Sequence, residues 1–587
     1  MSSSGRAQPW IFVYARRRYI EVCGPASLPA IALDAAVVTN VGIMQGQDAI
    51  AAALAGQNID TMFGVLGDGN LFVAESMMRN HGLRYISATH EANAVCMAEG
   101  WGRAAGRLGV ATITHGPGLT NTLTALVEGC RNRTPMLVIA GDTPVAARDH
   151  LQKIDQRAIV VASGAGFEPV RSAATIADDV ATAVRRAHAE QRPIVLNMPL
   201  NIQWEHDVEL GPIDPWFELQ TAVAPDPAAL DAAVGILASA SRPLVLAGRG
   251  AVSAGAHDAL VALAERLGAP LATTVLGTGY FKDDACDLGI FGTLTHAAAV
   301  EAIASADCVI SFGASLNRHT TDNGLLLQGK RVIQCDVDPA RIGSTVPIDA
   351  GIVGDAKCTA ETISDWLDQA EHQPSDFASP DLAASLADFD PLSAHQDLSR
   401  QGAIDPRTFT HRMDQILPTD RTVVVDAGRF MRQALTLPVP DPASLITSHG
   451  FAAIGLGMSN AIGAAIARPS RPTVLCIGDG GFMMGGLTEF HTAVENNLDL
   501  IVLLYNDSSY GAEHIQLWRK EMDTKASLHH WPAFPSVLSA LGARVVQVNE
   551  LSDLETAAEA INTRTPGQPV VIEACLDADM VSEIMGH

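Results

Sequence analysis

Between residues 44 and 578, short apolar runs alternate with longer amphipathic stretches, and the alternation recurs in three blocks. The runs 109–114, 136–140 and 193–198 of the first block are strand-length and hydrophobic throughout, as strands covered on both faces must be. The second block opens with the run 243–247 and continues with 308–312 and 331–336; the third carries 500–505. Regular exchange of strand and helix signals predicts an α/β chain of three doubly wound, parallel-sheet domains with helices on both faces. Polar, Pro-rich joints divide the blocks, GPIDPWFELQTAVAPDP after the first and HQPSDFASPDLAASLADFDPLSAHQ after the second. The expected organisation is therefore a domain over 44–210, a central domain over 225–372, a linker over 373–401 and a third domain over 402–580. Residues 1–43 do not join the pattern. They hold Arg16-Arg17-Arg18, and Glu21, Gly24 and Pro25 interrupt the apolar core that a cleaved signal needs. They read as a poorly ordered extension with Met44 as the working start, a transit peptide being the alternative on composition.

Composition narrows the class. A chain of 587 residues has room for two to four domains. A net charge of −26 excludes nucleic acid as a natural partner and favours solubility. The nine cysteines are scattered, without CxxC pairs, which points to reduced residues in a cytoplasmic protein. No run approaches the roughly 18 apolar residues of a membrane span.

Candidate chemistry concentrates in the third block. Gly478-Asp479-Gly480-Gly481 precedes an amphipathic stretch, and the apolar run after it closes on Asn506-Asp507. Carboxylates are thus expected at the ends of two neighbouring strands, where α/β sheets bind ligands. Asp479 and Asp507 are hard oxygen ligands suited to a magnesium ion that keeps diphosphate oxygens as its other ligands. Gly480 and Gly481 let backbone amides come close to such oxygens. A GDG by itself is commonly just a turn; joined to a downstream ND that closes a strand, it is a motif.

These residues resemble those of the thiamine-diphosphate-dependent enzymes of the acetolactate synthase and pyruvate decarboxylase group. The similarity runs over essentially all of 44–580 and implies a pyrimidine-binding domain, a central Rossmann-like domain and a diphosphate- and Mg2+-binding domain. It implies a metal held by Asp479, Asp507 and the Ser509 carbonyl. One extra residue in GGLTEF leaves Asn506 as the alternative to Asp507. In RYISATHEANAV it makes Glu91 the acid that hydrogen-bonds the cofactor's aminopyrimidine ring, general acid–base work for a carboxyl group; alone, a Glu opening a helix is ordinary dipole compensation. In SHGFAAIG, Ile454 would be the wedge that bends the cofactor and the Ala452 carbonyl an acceptor for its amino group, while Gly428 and Arg429 could reach the diphosphate. In FGVLGDGN, Asp68 falls on an active-site aspartate of the decarboxylases, and Glu513 in NDSSYGAEH on their glutamate. A turn Asp and a solvated helix Glu are the plain alternatives for these two.

The departures carry information too. The decarboxylases' paired His-His at the end of the first domain is missing, which leaves His115 in THGPGLTN, and after it His150, as proton donors. His529-His530 reads as a loop pair. THGPGLTN, Gln152 and DVDPARIG resemble acetolactate synthases, whereas SGAGFEPV and Gly511-Ala512-Glu513 depart from them. The resemblance implies a decarboxylated 2-oxo acid donor whose enamine is either protonated or ligated to a second carbonyl. It also implies a homodimer or homotetramer with active sites at the subunit interface. The alternatives are a simple decarboxylase releasing an aldehyde, an FAD-dependent oxidase of the same fold, and a non-catalytic member; retention of Glu91, Asp479 and Asp507 argues against the last. FAD in the central block has only the turn LAGRGAVSAG behind it, which lacks GxGxxG.

Overall fold

The computed structural model describes residues 43–216 and 222–580; the expectation for 1–43 lies outside them apart from Ile43. Three six-stranded sheets, parallel throughout, carry the architecture. In the first, the strands run in the order Arg84–Ser87, Thr61–Gly64, Gly109–Ile113, Met136–Asp142, Pro193–Pro199, Gly166–Pro169. In the third the order is Leu445–Ser448, Thr422–Asp426, Thr473–Gly478, Leu500–Asn506, Val570–Cys575, Arg544–Val548. Numbered by sequence, both read 2-1-3-4-6-5, so the first and third domains share one topology that no sequence repeat announces. The central sheet, by contrast, has the dinucleotide-binding order 3-2-1-4-5-6. There the glycine turns after Pro243–Ala247 and Cys308–Phe312 pack directly on each other, Gly248 and Gly250 against the backbone of Gly313. The segment 373–401 contains a helix, Pro380–Ala387, capped by Ser379, whose hydroxyl oxygen accepts from the Leu382 amide.

The first and third domains share one hydrophobic core. It runs from Phe63, Ala94 and Val138 of the first to Val424, Ile462 and Ile477 of the third. Its centre is the crossing of two Ala- and Gly-rich helices, Glu91–Ala105 and Gly457–Ala467. They approach backbone to backbone: a methyl on Gly463 would overlap the Met97 carbonyl, and one on Gly100 the Asn460 carbonyl. The sequence predicts a loop after the strand that carries GDG; instead the chain turns helical at once. An α turn, Asp479–Gly481, passes into a π turn, Phe482–Gly486, and then into the α-helix Leu487–Glu495. The π turn takes in both glycines of GGLTEF and, as such turns do, holds one residue more than an α turn.

Gly463→Ala tests the crossing. Overpacking should outweigh the better helix propensity of alanine and lower stability by about 1–3 kcal/mol, read as a drop in the thermal melting point; an unchanged or higher melting point would show that the helices have room to part.

Candidate active site

A cavity of about 420 Å3 opens at the carboxyl ends of the third sheet. The sheet order reverses between Thr422–Asp426 and Thr473–Gly478; the loop after the first supplies Gly428 and Arg429, and the helical turn after the second supplies Asp479, Gly480 and Gly481. The next strand along, Leu500–Asn506, contributes Asp507 and Ser509, and the helix Gly511–Arg519 contributes Glu513. Ala452 and Ile454 line the same space, and Arg318 and His319 reach it from the central domain. Asn506 turns away: its amide donates to Glu573 at 2.7 Å.

The two aspartates face the same space, Asp479 buried and Asp507 partly so. Asp479 is 3% exposed; its Oδ1 accepts from the Gly480 amide at 2.9 Å and its Oδ2 from the Trp531 indole at 2.7 Å. Burial, followed by the Asp507 charge, raises its pKa to about 7. Asp507 Oδ1 accepts from the amide and hydroxyl of Ser509 at 3.0 and 2.8 Å, and Oδ2 faces Arg429 Nη1 at 3.5 Å. Burial raises its pKa too, against the Ser509 bonds and the Arg429 charge. Arg429 is otherwise engaged in the chain's last described turn, donating to the carbonyls of Ala578, at 2.8 Å, and Met580. No group of three or more His, Cys, Asp or Glu side chains converges among the described residues, so any cation here would take its remaining ligands from backbone, water or a bound ligand.

The loop that bears Ala452 and Ile454 is pinned at both ends by buried carboxylates. Glu128 of the first domain accepts from the amides of Gly450 and Phe451 at 2.8 and 2.6 Å. Asp426 accepts from those of Gly455 and Gly457 at 2.8 and 3.1 Å. Between the pins Ala452 sits at φ +61°, a left-handed conformation that a non-glycine residue holds only under tertiary constraint and that clusters at functional sites.

The remaining predicted residues gather at the matching switch point of the first sheet, and none of them lines the third-sheet cavity. Glu91 opens its helix and its Oε2 accepts from Asn121 at 2.8 Å. Asp68 is exposed on the loop after Thr61–Gly64. His115, 1% exposed, packs edge-on against His150 with ring centroids 5.3 Å apart. Burial, then the neighbouring His150, lowers its pKa. Two histidines 35 positions apart in sequence thus form a spatial pair. Sequence reasoning missed Glu128, Asp426, Glu489 and Trp531. Asp426 alone had a signal, as the polar end of an apolar strand in VVVDAG.

Family comparison follows this geometry. Residues 44–159 match the thiamine pyrophosphate enzyme N-terminal TPP binding domain, 230–363 the central domain and 426–574 the C-terminal TPP binding domain. The chain is a thiamine pyrophosphate enzyme. Among its relatives are a probable 2-ketoarginine decarboxylase of Pseudomonas aeruginosa, 29% identical over 86% of this chain and 90% of that one, and a sulfoacetaldehyde acetyltransferase of Rhodobacter capsulatus, 29% identical over 92% and 95%. A probable acetolactate synthase large subunit of Methanococcus aeolicus is 26% identical over 89% and 91%.

The residues of this thiamine pyrophosphate enzyme suit its cofactor. The turn after Gly478 is a cradle that a side chain would fill, since a methyl on Gly480 would come within 2.9 Å of the Tyr510 ring and one on Gly481 within 2.5 Å of Asp426 Oδ2. Two carboxylates share one arginine, 3.5 Å from Asp507, and their oxygens are the hard donors that would suit a divalent cation such as Mg2+.

Asp426 sets a pH dependence. Burial raises its pKa to about 7, above the roughly 3.9 of an unfolded aspartate. The folded state therefore binds the extra proton. Asp426 contributes its stability in full below the unfolded value, and that contribution is lost as pH rises through about 7. In melts of the cofactor-free enzyme, the advantage of wild type over Asp426→Asn should shrink between about pH 5 and pH 8; a constant difference would show that the carboxyl is ionised throughout.

Proposed function

We propose that this enzyme acts on 2-oxo acids with thiamine diphosphate and Mg2+ in the cytoplasm, decarboxylating a donor and then either protonating the remaining fragment or ligating it to a second carbonyl compound. One observation carries the reading: an acid–base group around Glu91 and a carboxylate-lined, glycine-floored cavity occupy matching switch points of two domains with the same strand order. The names of the three relatives, a decarboxylase, a synthase and an acetyltransferase, support that range of outcomes. Eight free cysteines among the described residues suit a reducing compartment, and no helix there is long and apolar enough to cross a membrane.

When bound, thiamine diphosphate supplies a thiazolium that accepts the electron pair left by departing carbon dioxide. The chain's own residues position and protonate. Asp479, Asp507 and the Ser509 carbonyl would hold Mg2+, and the amides of Gly480 and Gly481 would donate to the diphosphate. Arg429 keeps the carbonyls of Ala578 and Met580 over the cavity. Ile454 would support the cofactor from below, and the strained Ala452 would offer its carbonyl as an acceptor to the cofactor's amino group. Glu91, oriented by Asn121, holds a proton at the pyrimidine ring nitrogen. Asp68, His115 and Glu513 deliver protons at the reacting carbon. Because the Glu91 group does not line the cavity of its own chain, a homodimer or homotetramer that brings one chain's first domain to another's third domain completes the site.

A second reading, a simple decarboxylase releasing an aldehyde, is supported by the His115–His150 pair, which would supply the proton that the donor fragment takes up in place of a second carbonyl compound.

Incubation with thiamine diphosphate, Mg2+ and a panel of 2-oxo acids, singly and in pairs, followed by mass spectrometry, separates the outcomes. A hydroxyketone or acetohydroxy acid establishes ligation, and a free aldehyde the simple decarboxylase. Silence from cofactor-loaded protein across the panel would sink the 2-oxo acid reading. Glu91→Gln should lower turnover by about 10²- to 10⁴-fold while the protein stays folded.

A further inference from the structure

The segment after the helix Gly511–Arg519 matches no motif, yet it lies across both carboxylate-bearing loops. Its backbone runs antiparallel to the Asp507 loop: the Tyr510 amide donates to the Ser527 carbonyl at 2.9 Å, the His529 amide donates to the Ser508 carbonyl at 2.8 Å, and Ser509 bridges Leu528. The side chains continue the tie. His529 takes the edge of Tyr510 (centroids 4.3 Å, planes at 70°) and stacks on Trp531 (4.6 Å, 19°). Trp531 then donates its indole N–H to Asp479 Oδ2 at 2.7 Å. One short stretch is therefore bonded to the Asp507 loop through its backbone and to Asp479 through an indole.

We propose that Trp531 is a positioning residue for the divalent cation, locking the Asp479 carboxylate in a fixed orientation and setting its distance from the Asp507 loop. This rests on the reading that Asp479 holds the cation. A carboxylate offers about four lone-pair positions. The Gly480 amide holds Oδ1 and the indole holds Oδ2, so both oxygens are tied and the group cannot turn freely about its Cβ–Cγ bond. A neutral donor is the suitable one. Lysine or arginine in the same place would cancel the charge that the cation needs, whereas the indole fixes the carboxylate and leaves it negative. Without that bond, ordering the carboxylate becomes part of the cost of binding metal.

The test is isothermal titration of the cofactor-free, full-length enzyme with MgCl2 at fixed thiamine diphosphate, after melting curves have shown each variant folded. Trp531→Phe keeps a ring and removes the N–H; its Mg2+ affinity should fall about 10- to 100-fold, as expected for an outer-shell partner. Trp531→Tyr, with a hydroxyl donor on the ring, should recover part of the loss. Trp518→Phe, at a half-exposed tryptophan outside the cavity, should match wild type. Wild-type affinity in Trp531→Phe, or tighter binding, overturns the proposal, the latter by showing that the indole competes with the metal. Equal weakening in Trp531→Phe and Trp531→Tyr also overturns it, because ring packing alone would then be at work. If Trp531→Phe does not fold, His529→Ala, which removes the stack that aligns the indole, should weaken Mg2+ several-fold, and wild-type affinity there is again fatal. Asp479→Ala separates the two levels: undiminished Mg2+ binding in that variant would end the functional reading itself, whatever Trp531 does.

Discussion

Everything at the two half-sites depends on how closely the helices Glu91–Ala105 and Gly457–Ala467 cross. Their contact is made by backbone at Gly100 and Gly463, where any side chain would collide with a carbonyl of the opposite helix. Each helix starts at a functional loop, the first at Glu91 and the second just beyond Gly455. A rigid crossing therefore fixes the relation between the acid–base group and the loop of Ala452 and Ile454 within one chain. Interiors are close-packed, so a shift at the crossing would be transmitted to both loops rather than absorbed.

Buried carboxylates reinforce that crossing at three points. Glu489, on the helix beyond the π turn, accepts from the Thr89 amide and hydroxyl at 2.7 and 2.6 Å and from Asn93 at 2.9 Å, gripping the turn on both sides of Glu91. Glu128 returns the favour from the first domain to the Gly450 loop, and Asp426 closes that loop from below. Such groups are costly to bury and are tolerated because backbone amides and amide side chains satisfy their oxygens. They make the loops geometrically specific: Ala452 can be held left-handed because both of its flanks are hydrogen-bonded to fixed acceptors.

Much of this was legible from local signals. Strand-length apolar runs marked the sheets, and the GDG segment sat where a strand gives way to a helix, so Asp479 and Asp507 could be named from residue type and position, whereas Glu91 in HEANA needed the family resemblance. Other features had no local signature. The π turn Phe482–Gly486 is one, since no residue there announces it. The choice between Asn506 and Asp507 as a cavity residue is made by alternation at the strand end and by Glu573, 67 positions away, which takes the Asn506 amide. His115 and His150 pair only because the ends of two adjacent strands bring them together.

The amino-acid sequence by itself determined the class of chain, its three-block organisation and the residue types available for chemistry, because periodicity and strand-end motifs are properties of neighbours along the chain. Only the tertiary structure decided that the outer domains share one strand order, that their switch points carry different sets of polar residues, and that Trp531 and Glu489 reach Asp479 and the Thr89 turn. Those contacts join positions 52 and 400 residues apart. A hydrogen bond over such a separation is specified by how sheets and helices stack, and stacking is a property of the whole core rather than of any segment in it.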